Sequence, residues 1–360
     1  MTVSSHNVDL GFGRFSHADI ASTLSRRLQE LIILPTEKCN FRCTYCYEDF
    51  AVGKMKLPVQ EAIERLIDRR LPELSALKIS WFGGEPLVAR DVVLRLSRYT
   101  SHRAREHGVQ FSGGLTTNAY LLDSSLFGEL VSYDQNFFQI TLDGWEEGHD
   151  AVRKLANGKG SFQRIWDNLT AIRRTESAFS IQLRIHVRRD NFESLAQLLR
   201  QIARTFGPDP RFTLDFEHLR NIGGEGGKLV ERPLSLAELR DVERELRQIH
   251  ADALVSVVGP PAREPSADSD GLRAEPPGYI CYAARANSLL IRADGRIGKC
   301  TVALDDVRNT IGAINPDGTL SIDNGRLRPW LRGLSTSDEA ALECPLSGLP
   351  AAGSAQLLHL

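Results

Sequence analysis

The 360-residue chain has no run of eighteen apolar residues, so its sequence offers no helix able to cross a bilayer. Its opening, MTVSSHNVDLGFGRFSHADI, has no apolar core of the kind a secretory signal needs. Strong charge of either sign is also missing: the formal net charge is -2, which leaves no broad basic field for nucleic acid. No internal repeat stands out. These absences point to a cytoplasmic globular protein with no membrane or nucleic-acid partner, whose thiols stay reduced. Cysteine is scarce, six in all, and unevenly placed. Cys39, Cys43 and Cys46 crowd one short segment, and Cys281, Cys300 and Cys344 lie far downstream. In a reduced compartment such groups read as metal ligands or nucleophiles rather than staples.

What is present is alternation. LIILP at 31–35 is an apolar run of strand length stopped by Pro35, and the cysteine segment TEKCNFRCTYCYED follows as a loop. PVQEAIERLIDRRLPEL has helical periodicity, with Pro58 at a first helical position. ALKISWFGG is a strand ending at paired glycines, and ARDVVLRLSRYTSHRAREHG is an amphipathic helix closed by Gly108. VQFSGGLTTN, NFFQITLDG, FSIQLRIHV and RFTLDFEHL read as further strands, and FQRIWDNLTAIRRT and NFESLAQLLRQIARTFG as helices. About six strand–helix units over 31–220 predict a parallel sheet covered by helices. Such sheets carry chemistry at the carboxyl ends of their strands, where the cysteines, GGEP, TTN, LDG and DFE all fall.

Residues 221–278 differ. NIGGEGGK has the composition of a flexible link, SLAELRDVERELRQIHADAL of a helix capped by Ser235, and GPPAREPSADSDGLRAEPPG of a mobile loop or lid. From 279 a small second unit begins, with NSLLIRADGRIGKC as a hairpin turning at Asp294-Gly295 and TLSIDNG as a further strand.

Cys-x3-Cys-x2-Cys supplies three thiolates and no fourth ligand nearby. Structural zinc takes four. A four-iron cluster accepts three cysteines and leaves one iron open, although ligand counting alone leaves zinc as an alternative. The stretch CNFRCTYC, with aromatic Tyr45 before its last cysteine, resembles the cluster signature of the radical S-adenosylmethionine (radical SAM) enzymes. That resemblance implies a [4Fe-4S] cluster on Cys39, Cys43 and Cys46, with the SAM amine and carboxylate on the fourth iron. It also implies reductive cleavage of SAM to a 5'-deoxyadenosyl radical. The implied fold is α/β: a partial (β/α)6 TIM-type barrel with a small C-terminal twitch/SPASM-like auxiliary-cluster domain. Its expected boundaries are an N-terminal extension at 1–30, the radical SAM barrel at 31–220, a helix and mobile insert at 221–278, and the auxiliary domain at 279–360.

The resemblance assigns the methionyl amine to Gly83, Gly84, Glu85 and Pro86, a stretch that alone would be a turn. The glycines would let backbone approach the ligand, and Glu85 would accept from the ammonium. Thr117 and Asn118 match the polar stretch after the third strand, where a simple loop or helix cap is the structural alternative. TLDGWEEGHDAVR resembles peptide-modifying and sulfatase-maturing members. It places Asp143 near the SAM ribose or substrate and gives Arg153 a carboxylate to pair with, while His149 and Asp150 orient the segment. Arg184, on an inner strand face, needs a partner, and the SAM carboxylate is one. His186 shares that face and reads more simply as a core or rim histidine. Asp215 and Glu217, two apart on one strand, share a face. Glu217 first and Asp215 second are candidate bases for the proton a substrate radical must lose, against structural ion pairing for each.

CYAARANSLLIRADGRIGKC fits Cys-x13-Gly-x4-Cys and resembles the opening of SPASM and twitch domains. A full SPASM domain carries a dense central run of cysteines that this chain lacks. Cys281, Cys300 and Cys344 therefore suffice for one auxiliary [4Fe-4S] cluster, with His218, His250 and His359 as weak fourth ligands and zinc as the alternative. The expected substrate is a ribosomally made precursor peptide whose side chains are crosslinked, a cyclophane being one such product. The expected donor is flavodoxin or ferredoxin. Residues 1–30 are too few for a leader-binding domain, so the peptide is expected to dock on the barrel rim, on the 220–278 insert or on a separate leader-binding protein. The competing readings are a dehydrogenase or epimerase of a sugar or aminocyclitol, a peptide epimerase, and a zinc-stabilised binding protein.

Overall fold

A computed structural model describes residues 15–228, 230, 232–258 and 279–351. The loop expected as a lid, and His359, lie outside them. Six strands form a parallel sheet in chain order: β1 (Leu28–Ile33), β3 (Ala76–Trp81), β4 (Gln110–Thr117), β5 (Gln135–Leu142), β7 (Ser180–Val187) and β8 (Phe212–His218). Two short strands lie apart from them, β2 (Phe41–Cys43) and β6 (Arg153–Leu155), paired antiparallel. The C-terminal strands are β9 (Ser288–Ile291), β10 (Arg296–Gly298), β11 (Gly312–Ile314) and β12 (Leu320–Ile322).

The helices follow from apolar spacing. Phe192–Phe206 buries Leu195, Leu198, Leu199, Ile202 and Phe206 along one stripe. Leu57–Arg70 starts with Pro58 where no intrahelical donor is needed. Ser124–Ser132, not expected from periodicity, starts where Asp123 accepts from Leu126 N–H at 2.9 Å. β7 alternates strictly: Ile181, Leu183, Ile185 and Val187 are buried, and Gln182, Arg184 and His186 are half-buried on the other face. The buried set joins one large core under the helices. The opposite face is polar: Gln139 Nε2 donates to Gln182 Oε1 at 2.8 Å, and Arg184 Nε to Asp215 Oδ2 at 2.9 Å.

Four expectations change. The first strand starts at Leu28, because Leu28, Gln29 and Glu30 pair with Ala76, Leu77 and Lys78. The cysteine segment is not all loop, since Phe41–Cys43 pairs with Arg153–Leu155. NIGGEGGK is not a free link: Gly224–Lys228 is a short helix lying on the cysteine segment. The C-terminal unit does not stand apart either. β9 pairs in parallel with β1, so its strands continue the barrel sheet to ten. The hairpin turns at Gly295, whose φ of 87° suits glycine, and Ser235 caps its helix by accepting from Glu238 N–H at 3.3 Å. No described helix is long and apolar enough to cross a membrane.

Candidate functional site

The strand ends converge on the first cysteine group. Cys39 follows the end of β1, and its sulfur accepts from Phe41 N–H at 3.3 Å. Cys43 stands opposite Arg153 in the β2–β6 pair, and Cys46 N–H closes a turn onto Cys43 O at 3.1 Å. Burial, with the Glu85 carboxylate next, pushes the Cys39 thiol up to about 12; burial pushes Cys46 to about 11. Burial raises the Cys43 thiol as well, with the Arg153 charge opposing it, so loading a thiolate-ligated group releases protons. Among the described residues no three Cys, His, Asp or Glu side chains are grouped closely enough to share a single metal ion. Three thiols spread over eight residues suit a multi-iron cluster better than one ion.

GGEP buttresses this loop. A Cβ on Gly83 would lie 2.3 Å from Thr36 O, and one on Gly84 2.5 Å from Glu37 O and 2.7 Å from Lys38 O. The glycines thus let the turn pass against the backbone leading into Cys39, where the sequence suggested close approach to a ligand. Glu85, expected to accept from an ammonium, already takes Thr117 Oγ1 at 2.8 Å, Asn118 N–H at 2.7 Å and Leu87 N–H at 2.9 Å. A carboxylate has about four acceptor positions, so little of it remains for a ligand. Pro86 is buried at the start of a single helical turn. Asn118 Nδ2 donates to Asn40 Oδ1 at 2.9 Å, which brings TTN and the residue after Cys39 together.

A second buried set lies beneath Cys43 and Cys46. Tyr45 O–H donates to Asp143 Oδ2 at 2.5 Å and accepts from Arg153 Nη1 at 2.7 Å. His186 Nδ1 stands 3.2 Å from that hydroxyl and 3.1 Å from Asp143 Oδ1. Burial opposes the Asp143 charge, but His186 and Arg153 hold its carboxyl well below the usual range. Arg153 is buried, and its Nε has no hydrogen-bond partner. Its guanidinium serves Tyr45 and Asp143 rather than presenting a free fork. Asp150 Oδ1 caps the following helix from Ser161 N–H at 2.7 Å and Phe162 N–H at 2.9 Å. His186, read from sequence as a core or rim residue, belongs to the Tyr45 set; its place two residues after Arg184 on β7 was the available signal.

Burial, with Arg153 next, holds His149 down at about 4, and its Nδ1 accepts from Asp143 N–H at 3.3 Å. A folded value below the unfolded one, about 6.5, means the unfolded chain takes up the proton first. Stability should therefore fall as pH drops from about 6.5 toward 4, by about 3 kcal/mol for this one group. In His149→Phe, denaturant titrations across that range should show the dependence flattened. A profile as steep as the parent's overturns the assignment.

Arg184 and Asp215 are register neighbours, and their ion pair removes two expectations at once. Arg184 is already partnered, so the SAM carboxylate is not what balances its charge. Asp215 commits its Oδ2 to Arg184, so it is not a free carboxylate on the polar face. Glu217 is less committed: it is half-exposed, beside His186 in register, with Arg220 Nη2 at 3.3 Å.

In the C-terminal unit Cys300 is buried, Cys281 half-buried and Cys344 exposed. Burial is the main cause that pushes Cys300 up to about 11, and negative charge at Cys281 and Cys344 adds to it. Cys281 and Cys344 therefore lie within electrostatic reach of Cys300. Asn309 Oδ1 accepts from the N–H groups of Lys299 and Cys300, each at 2.9 Å. His218 shares a strand face with core residue Phe216, and its charged neighbours are Arg220 and Glu217. His250 sits on the Leu236–Val258 helix with Arg247 as its charged neighbour. Neither has one of the three thiols among its electrostatic neighbours.

The family profile described as "Radical SAM superfamily" matches residues 33–202. The chain is 29% identical over 167 residues to the cysteine-type anaerobic sulfatase-maturating enzyme of Clostridium novyi, an alignment covering 43% of each chain. It is 33% identical over 144 residues to a GTP 3',8-cyclase of Picosynechococcus, covering 38% of this chain and 41% of that protein. The matches thus span less than half the length of these relatives. Among solved structures, anSMEcpe with bound AdoMet superposes with a TM-score of 0.57 at 17% identity, over 84% of this chain and 80% of that one. Streptococcus suis SuiB bound to precursor peptide SuiA gives 0.54 at 15% identity, over 81% of this chain and 63% of that one. At such identities the likeness is one of fold.

Proposed function

We propose, on the premise that this chain carries a radical SAM domain, that it cleaves SAM at a [4Fe-4S] cluster on Cys39, Cys43 and Cys46. The radical so made serves to crosslink side chains of a ribosomally made precursor peptide. The observation that carries this reading is the convergence of the cysteine loop, GGEP, TTN and Asp143 on one end of the sheet. When bound, the cluster supplies the electron that breaks the SAM sulfonium. The chain's own residues seat it. Glu85 ties the ends of β3 and β4 together, Asn118 steadies the residue after Cys39, and Arg153 offsets thiolate charge at Cys43. Thr117, Asn118, Asp143 and Tyr45 are the residues that would line the SAM site, and Gly83–Pro86 would shape it by buttressing the backbone into Cys39.

Peptide chemistry is supported by similar proteins: one matures sulfatases, and another is seen with a precursor peptide. For each crosslink the substrate loses a hydrogen atom to the 5'-deoxyadenosyl radical, a proton and one electron. Glu217, on the polar face, takes the proton. Cys281, Cys300 and Cys344, in the unit expected at 279–360, would hold an auxiliary [4Fe-4S] cluster, which when bound would supply an acceptor for the electron. Flavodoxin or ferredoxin would be the electron donor. Glu217→Gln is expected to slow product formation about a hundredfold while leaving 5'-deoxyadenosine formation intact. Unchanged product yield sinks the base assignment.

One observation favours a second reading. Cys344 is exposed, as a thiol donating a hydrogen atom would be in an epimerase of a peptide or small molecule. Mass spectrometry of the co-expressed short peptide separates the two. A crosslink lowers the mass by about two hydrogens per event, whereas epimerisation leaves the mass unchanged and takes up deuterium from solvent. Zinc in place of iron and sulfide at both cysteine groups would overturn both readings.

A further inference from the structure

We infer that the glycine-rich turn after β8 is a clamp that seats Cys46, so Gly224 and Gly226 are positioning residues for the third thiol. This rests on the cluster reading above. Six residues beyond β8 the chain returns over the cysteine loop as the short helix Gly224–Lys228. Gly226 N–H donates to Cys46 O at 3.2 Å. A Cβ on Gly226 would lie 2.4 Å from Cys46 O, 2.5 Å from Cys46 N and 2.7 Å from Tyr45 C. On Gly224, whose φ is +65°, it would lie 2.2 Å from Tyr47 O and 2.6 Å from Tyr47 Cα. Every one of these contacts is with backbone, which no rotamer change relieves. The charges of the same turn face outward: Lys228 and Glu225 pair at 2.5 Å with side chains 65% and 92% exposed.

The division of labour along the loop explains the need for a clamp. Cys43 is fixed by the β2–β6 ladder, and Asn40, next to Cys39, by Asn118. The Cys46 carbonyl, beyond that ladder, is held by Gly226. The segment leaves the same strand that carries Glu217, so the third thiol and the polar face of β8 are placed by one stretch of chain.

The test compares the full-length parent with Gly226→Ala, Glu225→Ala on the same turn, and Gly53→Ala, where a Cβ would meet nothing within 4 Å. In the metal-free protein, iodoacetamide labelling followed by peptide mapping gives the Cys46-to-Cys39 rate ratio. Gly226→Ala should raise that ratio at least about tenfold, with Cys281 and Cys300 unmoved and the melting midpoint kept. After iron and sulfide loading it should lose the change that SAM makes in the electron paramagnetic resonance spectrum. Both control variants should match the parent. A parental labelling ratio and a parental SAM response in Gly226→Ala overturn the clamp. If Gly226→Ala does not fold, hydrogen exchange of the 222–228 peptide in the parent decides: slower exchange on loading supports the clamp, and equal rates refute it. A parent that takes up no iron refutes the functional reading instead, and the labelling ratio still decides the clamp.

Discussion

Cys43→Ala is expected to lower 5'-deoxyadenosine formation below about a thousandth of the parent rate. Two thiols remain in the loop, one fewer than an open-iron cluster needs. Cys43 also differs from its neighbours in lying opposite Arg153, whose positive charge is the main influence favouring its thiolate against burial. The β2–β6 pairing is made by backbone and survives the change, so the fold should hold. Iron analysis then tests the two cysteine groups separately: on the proposed auxiliary cluster, the variant should still take up iron at Cys281, Cys300 and Cys344. Liquid chromatography of anaerobic reactions with dithionite and SAM reads the rate. Parental formation of 5'-deoxyadenosine would remove Cys43 from the ligand set.

The largest stability effect should come from Arg292→Leu. Arg292 Nε and Nη2 reach Glu37 Oε1 and Oε2, each at 2.7 Å, and the two side chains are 6% and 0% exposed. A fork of this kind carries two charge-assisted bonds. Arg292 Nη1 also donates to Leu304 O at 2.5 Å. Removing the guanidinium leaves the Glu37 carboxyl group buried without its partner, at a cost of about 3–5 kcal/mol. In thermal unfolding of a chain this long that is a fall of about 5 °C. Glu37 lies two residues before Cys39, and Arg292 directly after β9, so the pair pins the C-terminal strands to the root of the cysteine loop. The double variant Glu37→Leu with Arg292→Leu removes both charges and should recover most of the loss, because the pair itself adds little beyond its own desolvation cost. A single variant melting with the parent would show the pair to be solvated.

Much of the barrel was legible because its signals are local. Leu195, Leu198, Leu199 and Ile202 repeat at the helical period, and β7 alternates residue by residue. Both patterns depend only on the spacing of side chains along the backbone. The cysteine spacing, GGEP and TTN were legible as a converging set because strand–helix repeats send every such segment to the same rim. What Arg184 faces was not legible. Its charge demanded a partner, yet only the β7–β8 register shows that the partner is Asp215. The same holds for His186 and Tyr45, 141 residues apart.

Glycines mislead in a related way. GGEP and NIGGEGGK look like flexible or ligand-facing stretches, yet Gly83, Gly84, Gly224 and Gly226 all lie against backbone of residues 36–47. A missing side chain says that something comes close, and only packing says what. By itself the sequence determined the strand–helix alternation, the two groups of three thiols and the rim where the motifs meet, since these follow from covalent order and periodicity. The tertiary structure alone decided which charges are already paired, that β9 extends the sheet beside β1, and that a turn after the last barrel strand returns to hold Cys46. Those choices rest on register and close approach between segments far apart in the chain, and no local pattern encodes them.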